Sequence, residues 1–156
     1  RGIYEGTFDK NKSVEYDKAA YKKMPKRHEA LEHLIVSLMM VKDYTNAIKY
    51  VSTALNMAKA ENNAAKTADY YRIEADCYSD LNQPYKAIES FEKALQYTRD
   101  NQEKLYIYGR IINIYKEISN FEKCLSCLEK CSELIKSGTE DRIDLESLYV
   151  AIKTKS

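Results

Sequence analysis

Apolar residues recur along this chain at intervals of three and four residues, separated by polar and charged ones. The stretch Tyr85–Thr98 reads YKAIESFEKALQYT and shows the pattern clearly. Within it, Ala87 is followed by Phe91 four residues later and by Ala94 three residues after that. Residues at these intervals lie on one face of an α-helix. The pattern therefore predicts an amphipathic helix with one buried stripe.

The same order of small, bulky and small residues occurs in two other segments. It is formed by Ala47, Val51 and Ala54 in YTNAIKYVSTALNMA, and by Cys124, Leu128 and Cys131 in FEKCLSCLEKCSELI. Ala87 lies 40 residues after Ala47, and Cys124 lies 37 residues after Ala87. Repeats at such intervals predict helical units that stack side by side.

A second helical pattern precedes each copy. Its apolar residues are Leu31, Leu34, Ile35 and Leu38 before the first copy, Tyr71, Ala75 and Tyr78 before the second, and Tyr108, Ile111, Ile112 and Tyr115 before the third. They follow the spacing of one buried helix face. Each unit is therefore predicted to be a helix, a short turn and a second helix, with a longer link to the next unit. Tyr70 and Tyr106 are expected to face a groove or solvent.

Composition agrees with an all-helical chain. The 156 residues include 4 Gly and 2 Pro, the residues that interrupt helices. Hydrophobic residues make up 44% and charged residues 31%, which is typical of a folded domain. Lys and Arg number 25 and Asp and Glu 24, so we expect neither nucleic acid nor a membrane surface as partner. The longest apolar run, Leu34–Val41, is too short to span a membrane.

On these residues the chain resembles the tetratricopeptide repeat (TPR) family, in a lengthened-period form. The family places a small residue and then a Tyr in the first helix, and small, bulky and small residues in the second. The second unit fills these places with Ala75, Tyr78, Ala87, Phe91 and Ala94. The third has Ile112 and Tyr115 before its copy, and the first has Ile35 and Leu38, without the Tyr. The extra residues of the longer period are expected in the links ENNAAK and RDNQEK.

The resemblance implies an all-α fold, a right-handed superhelix of antiparallel helix pairs with a C-terminal capping helix. We expect one domain over residues 1–156, with a partial repeat at 1–25, repeats at about 26–62, 63–101 and 102–137, and a capping helix at about 139–153. In the partial repeat, which Pro25 ends, Tyr16 and Ala19 are expected to be the bulky and small core residues. Because the chain begins at Arg1 with part of a repeat, we expect it to be a fragment of a longer chain.

The residues that carry most enzyme and metal chemistry have structural explanations here. His28 and His33 are five residues apart, so they lie about 140° apart around a helix and do not form a zinc pair. Cys124, Cys127 and Cys131 share one stripe, as zinc ligands or redox thiols would. Two of them, however, occupy small-residue places, where Cys acts as a small hydrophobe. We therefore predict no catalytic residue, metal, cofactor or enzyme activity, and reduced thiols in a cytoplasmic protein.

The resemblance also implies a concave groove lined by the first helix of each unit. The expected groove residues are Glu32, Val36, Asp69, Arg72, Asp76, Tyr106, Arg110 and Asn113. Arg72 and Arg110 are the candidates for holding a ligand carboxylate, because a guanidinium binds one through two hydrogen bonds. Alternatively, they pair with acids of the groove, for example Arg72 with Asp76. Glu32 and Val36 stand where the clamp for chaperone tails has Lys and Asn, which disfavours that ligand.

Two functions follow from the resemblance. The first is a scaffold for protein–protein interaction that binds a partner peptide or helix in the groove. The alternative is a peptide- or ligand-sensing regulatory domain of a bacterial transcription regulator or kinase, in which the ligand changes the superhelix. In both, the partner is a protein or peptide.

Overall fold

A computed structural model describes residues 9–136, 150, 153 and 154 of the chain. Over residues 9–136 it consists of α-helices joined by short turns. These are α1 (Lys10–Lys23), α2 (His28–Met40), α3 (Tyr44–Ala60), α4 (Ala64–Asp80), α5 (Pro84–Tyr97), α6 (Asn101–Glu117) and α7 (Phe121–Lys136). Each helix packs on the next along the chain, which gives the predicted all-α solenoid. The predicted capping helix at 139–153 lies almost entirely outside the described residues, and the division of the chain into repeats remains a prediction.

Polar residues immediately before the helices determine where they begin. A side-chain oxygen of the preceding residue accepts a hydrogen bond from a first-turn backbone N–H in five helices, through Asp9, Asp43, Asn63, Asp100 and Asn120. Such caps satisfy N–H groups that have no partner inside the helix. Pro84 begins α5 instead, where a missing N–H costs nothing.

Four of the turns share one geometry. Each contains a residue with positive φ, namely Lys42, Asn62, Asn82 or Ser119. The residue after it donates its N–H to a carbonyl five residues earlier, as Asn63 does to Ala58 at 2.9 Å. This is the Schellman end of a helix, and Asn is among the residues that adopt positive φ most readily.

The expectation of longer links between units is wrong. Residues 61–63 connect α3 to α4 and residues 98–100 connect α5 to α6, so these links are as short as the turns within a unit. The extra residues lengthen the helices instead, and α3, α4 and α6 each contain 17 residues. The physical reason is local. Asn63 caps α4 in the middle of ENNAAK, and the alanines that follow favour a helix over a loop.

The repeated small residues all lie in the buried core. Ala47, Ala54, Ala87, Ala94, Cys124 and Cys131 are all 1% exposed or less. The bulky residues between them, Val51, Phe91 and Leu128, are 2% exposed or less, as the sequence predicts. Tyr71 is buried, and Tyr78, Tyr108 and Tyr115 pack against the same core. Close approach of backbones at the small residues lets the aromatic rings fill the space between helices.

The expected core residues of α1 are wrong. Tyr16 is 73% exposed and Ala19 is also exposed, whereas Val14 is the buried residue of this helix. Ser13 and Asp17 lie on the same side as Val14 and hydrogen-bond Ser37 of α2. The expectation came from aligning residues 8–24 with FEKCLSCLEKC, which required one inserted residue, and one residue rotates a helix face by about 100°.

The four cysteines are free and buried. Burial raises the pKa of the thiols of Cys77 and Cys131 to about 12. Cys124 donates its thiol to the carbonyl of Ile112, 3.5 Å away, within the α6–α7 interface. These are the environments of core residues, because reactive thiols need a lowered pKa and access to solvent.

Candidate functional site

A groove of about 700 Å³ opens between the first helices of the units. Its lining residues are Glu32 and Val36 of α2, Asp69, Tyr70, Arg72, Ile73 and Asp76 of α4, Phe91 of α5, and Gln102, Glu103 and Tyr106 of α6. We use the name groove for the space bounded by these residues. Side chains from three separate helix pairs meet in it, so the site exists because the repeats stack.

Most of the groove residues expected from the sequence lie together in this space. Glu32, Val36, Asp69, Arg72, Asp76 and Tyr106 line it directly. Arg110 is not a lining residue, but its guanidinium reaches two of them, Asp76 and Tyr106. Asn113 is exposed further along α6 and is not part of the described lining. A role in binding for any of these eight residues remains a prediction.

Both arginines are held by carboxylates of the groove. Arg72 Nη2 lies 2.5 Å from Asp69 Oδ1, one helical turn earlier in α4. Arg110 Nη2 crosses from α6 to α4 and lies 2.6 Å from Asp76 Oδ1. The alternative that the arginines pair with acids of the groove therefore describes the structure, but the expected pairing of Arg72 with Asp76 is wrong. Asp76 bridges two units instead.

Aromatic rings hold the same two guanidinium groups in place. Tyr106 is 52% exposed and accepts a hydrogen bond from Arg110 Nη1 at 3.1 Å. The Cζ atom of Arg72 lies 5.9 Å from the centre of the Tyr106 ring. The Cζ atom of Arg110 lies 5.3 Å from the centre of Phe91. Positive charge is attracted to the face of an aromatic ring, so both arginines have defined positions.

The carboxylate of Asp76 is partly buried between α4 and α6. Its Oδ1 atom is shielded from solvent and forms an ion pair with Arg110, but it has no hydrogen bond of ordinary geometry within the described residues. Burial raises the pKa of its carboxyl group above the usual value, and the nearby charge of Arg110 only partly opposes this. A carboxylate held in a costly place inside a cleft is typical of a functional site.

Glu32 lies in a better-satisfied network at the other end of the groove. The hydroxyl of Tyr70 donates to Glu32 at 2.8 Å, and Lys66 Nζ lies 3.0 Å from the same carboxylate oxygen. Burial alone would raise the pKa of Glu32, but these two hydrogen bonds and the charge of Lys66 lower it overall. His28 joins the network through Nδ1, 2.7 Å from the Tyr70 hydroxyl, and through Nε2, 2.8 Å from Glu61.

Several lining residues were not predicted from the sequence. Tyr70, which was expected at the groove or in solvent, does line the groove although it is only 1% exposed, and its hydroxyl donates to Glu32. Phe91 was assigned to the core, and it both fills the core and forms part of the groove floor. Glu103 and Gln102 lie in the first turn of α6, which the sequence analysis assigned to a link. A helix start at Asn101, signalled by the cap residue Asp100, would have placed them correctly.

Neither a metal-ligand cluster nor a membrane-spanning helix is found in the part of the chain that the structure describes. Its His, Cys, Asp and Glu side chains form no group of three or more that could hold a metal ion. Across residues 9–136, 150, 153 and 154, no helix combines the length and apolar character needed to cross a membrane.

Comparison with solved structures shows the same fold in several proteins. The structure of BtubC (BKLC) from P. vanneervenii is 20% identical, with a TM-score of 0.60, over 83% of this chain and 55% of that one. The apo form of RapI is 16% identical, with a TM-score of 0.67, over 82% and 50%. A thermophilic TPR protein in Thermus thermophilus is 18% identical, with a TM-score of 0.54, over 93% and 73%. The chain spans about half the length of the first two.

These identities establish a shared fold and nothing about ligands. No curated protein matches the chain. The model of the tetratricopeptide repeat matches residues 27–100, which contain α2 to α5 and most of the groove. Together with the stacked helix pairs of the structure, this match over residues 27–100 supports a protein of the tetratricopeptide repeat family.

Proposed function

We propose that the chain binds a peptide or helix of a partner protein in the groove. TPR proteins are in general scaffolds for protein–protein interaction rather than enzymes. The observation that carries the proposal is the exposure of Val36 and Tyr106, two large side chains that line the groove and are each 52% exposed. Apolar surface of this kind, beside charged groups, is typical of a recognition site.

The groove offers both affinity and specificity to a short segment. Ile73 and Phe91 form an apolar floor between Val36 and Tyr106. Covering apolar surface stabilises a complex by roughly 25 cal/mol per Å². The carboxylates and guanidiniums at fixed positions then select among partners by charge, since a mismatched charge left unpaired weakens binding strongly.

Location and partner class belong to the same proposal. We place the chain in the cytoplasm, because its four cysteines are free and occupy core positions without a disulfide among them. The near balance of 25 basic and 24 acidic residues favours a protein or peptide partner over nucleic acid or a lipid surface.

Capture from a lysate of the expressing cells tests the proposal, provided that groove variants are compared with a matched control. Tyr106→Ala removes an exposed ring from the groove. Tyr85→Ala removes a ring that is 69% exposed on α5, outside the groove. We expect a partner that is retained by the wild type and by Tyr85→Ala but lost with Tyr106→Ala. Equal retention by all three proteins would show that binding does not use the groove.

Ligand sensing is a second candidate, favoured by the junction between α5 and α6. This is the least extensive interface between consecutive helices, and the Arg110–Asp76 ion pair spans the two units there. A ligand that breaks this pair would allow one unit to rotate against the other. Spin labels on His33→Cys and Ser126→Cys, both exposed positions, report the distance from α2 to α7. A captured peptide that leaves this distance unchanged would argue for a static scaffold.

A further inference from the structure

The groove contains more negative than positive charge. Four carboxylates line it, on Glu32, Asp69, Asp76 and Glu103, and Arg72 is the one cation among the described lining residues. Lys66 and Arg110 approach the carboxylates from the edge. Even with these two cations included, the acids outnumber the bases. The surface that a partner meets is therefore acidic around an apolar floor.

The four carboxylates are not equally satisfied. Glu32 receives hydrogen bonds from Tyr70 and Lys66, and Asp69 pairs with Arg72 in its own helix. Asp76 pairs with Arg110 through its shielded Oδ1 atom, and its side chain as a whole is 33% exposed. Glu103 is exposed at the start of α6, and no ion pair holds it within the described part of the chain. Glu103 and the exposed part of the Asp76 carboxylate are therefore open to a further donor.

We propose that the partner segment is cationic, with a Lys or Arg side chain that binds Asp76 and Glu103 while a neighbouring apolar residue covers Val36 and Tyr106. This inference rests on the proposed function and specifies its ligand. A ligand ammonium or guanidinium supplies Glu103 with an ion pair and reaches the exposed part of the Asp76 carboxylate. The exposed face of Tyr106 attracts the same positive charge.

An anionic ligand fits the same groove poorly. It would have to displace Asp69 from Arg72 and Asp76 from Arg110, since both guanidiniums are already paired. The displaced carboxylates would then remain close to the ligand carboxylate, and like charges in a partly buried site repel strongly. The groove carboxylates therefore hold both arginines in ion pairs and leave neither guanidinium free for a ligand carboxylate, contrary to the expectation that they bind one.

Three pools of short synthetic peptides test the inference. The pools are random except at the centre, which is arginine, its neutral isostere citrulline, or glutamate. Each pool is passed over the immobilised chain at low salt, where charge contributes most, and the retained peptides are quantified by mass spectrometry. We expect the arginine pool to be retained about tenfold more than the citrulline pool, the effect of one charged hydrogen-bonded contact.

Variants of the chain assign the effect to residues. Asp76→Asn and Glu103→Gln should each abolish most of the preference for arginine over citrulline. Glu103 is exposed, so its variant keeps the test valid if Asp76→Asn folds poorly. Glu129→Gln, which removes an exposed acid on α7, should leave the preference unchanged. A preference that persists in both groove variants would overturn the inference.

The outcomes separate this inference from the proposed function. If the glutamate or citrulline pool is retained as well as the arginine pool, and Tyr106→Ala abolishes that retention, then the groove binds peptides and the cationic ligand is wrong. If no pool is retained above the level seen with Tyr106→Ala, the groove does not bind peptides and both proposals fail. Retention of the arginine pool that disappears in Tyr106→Ala and falls in Asp76→Asn supports both.

Discussion

Replacement of Ala87 by leucine is the most direct test of why the helix pairs stack. Ala87 is fully buried on the face of α5 that also carries Phe91 and Ala94. The α4–α5 interface is the most extensive between consecutive helices. A leucine at this place adds three carbon atoms where neighbouring atoms already occupy the space, so the helices must separate or adopt strained rotamers.

The magnitude follows from the nature of the site. Overpacking of a dense core costs about 1–3 kcal/mol. Helix propensity contributes little, because leucine is nearly as good a helix former as alanine. Additional apolar burial would oppose the loss only if a cavity were present, and Ala87, Phe91 and Ala94 are all fully buried in a continuous core. We therefore expect Ala87→Leu to lower the free energy of unfolding by about 2 kcal/mol.

Urea unfolding followed by circular dichroism measures this change. An unchanged slope of the free energy of unfolding against urea concentration shows that the variant and the wild type expose the same amount of surface on unfolding. Ala65→Leu is the matched control, because it makes the same substitution at an exposed position of α4. The control should change the free energy of unfolding by less than about 0.5 kcal/mol. If Ala87→Leu proves as stable as Ala65→Leu, close packing at the small residues is not what joins the helices.

Three further predictions address the caps, the thiols and the groove network. Asn63→Ala should lower the free energy of unfolding by about 1 kcal/mol in urea titrations, because α4 loses its N-terminal cap. Burial raises the pKa of Cys77 to about 12, from an ordinary value of 9.0, so the neutral thiol is favoured in the folded state. Stability from this thiol should be complete below pH 9.0 and decline as the pH rises toward about 12, and native protein should react slowly with thiol reagents at neutral pH. Burial acts to raise the pKa of Glu32, but hydrogen bonds from Tyr70 and Lys66 lower it overall. The contribution of the ionised Glu32 carboxylate to stability is therefore present at neutral pH and lost as the pH falls through the lowered pKa. Tyr70→Phe should reduce that loss in acid unfolding curves, and an unchanged acid limb would show that the hydroxyl is not what holds Glu32 ionised.

The order and type of the helices could be predicted from the sequence because burial imposes a period on it. Ala47, Ala87 and Cys124 recur at nearly constant intervals since each must allow the same close approach. The length of the links could not be read from that period. Whether residues such as Asn62 and Asn63 form a loop or end one helix and cap the next depends on backbone angles, and both conformations are compatible with the same letters.

The groove was predictable by position but not by pairing. The resemblance to the family placed Val36, Arg72 and Tyr106 on one surface of the first helices, and all three line the groove. Helical spacing also limits which residues can form an ion pair within one helix. Arg72 has one acid a turn before it, Asp69, and another a turn after it, Asp76, so spacing alone does not select its partner. The pairing of Arg110 with Asp76 depends on how one unit is placed against the next, which spacing within a helix does not determine.

A photoreactive residue in the groove tests the central claim most directly. Benzoylphenylalanine replaces Val36, which lines the groove, or Tyr85, which is exposed outside it, and both proteins are irradiated in the expressing cells. The account predicts a covalent adduct with a partner protein at position 36 and none with that partner at position 85. An adduct that forms at position 85 and not at position 36 would contradict it, because the partner would then lie against the second helices and not in the groove.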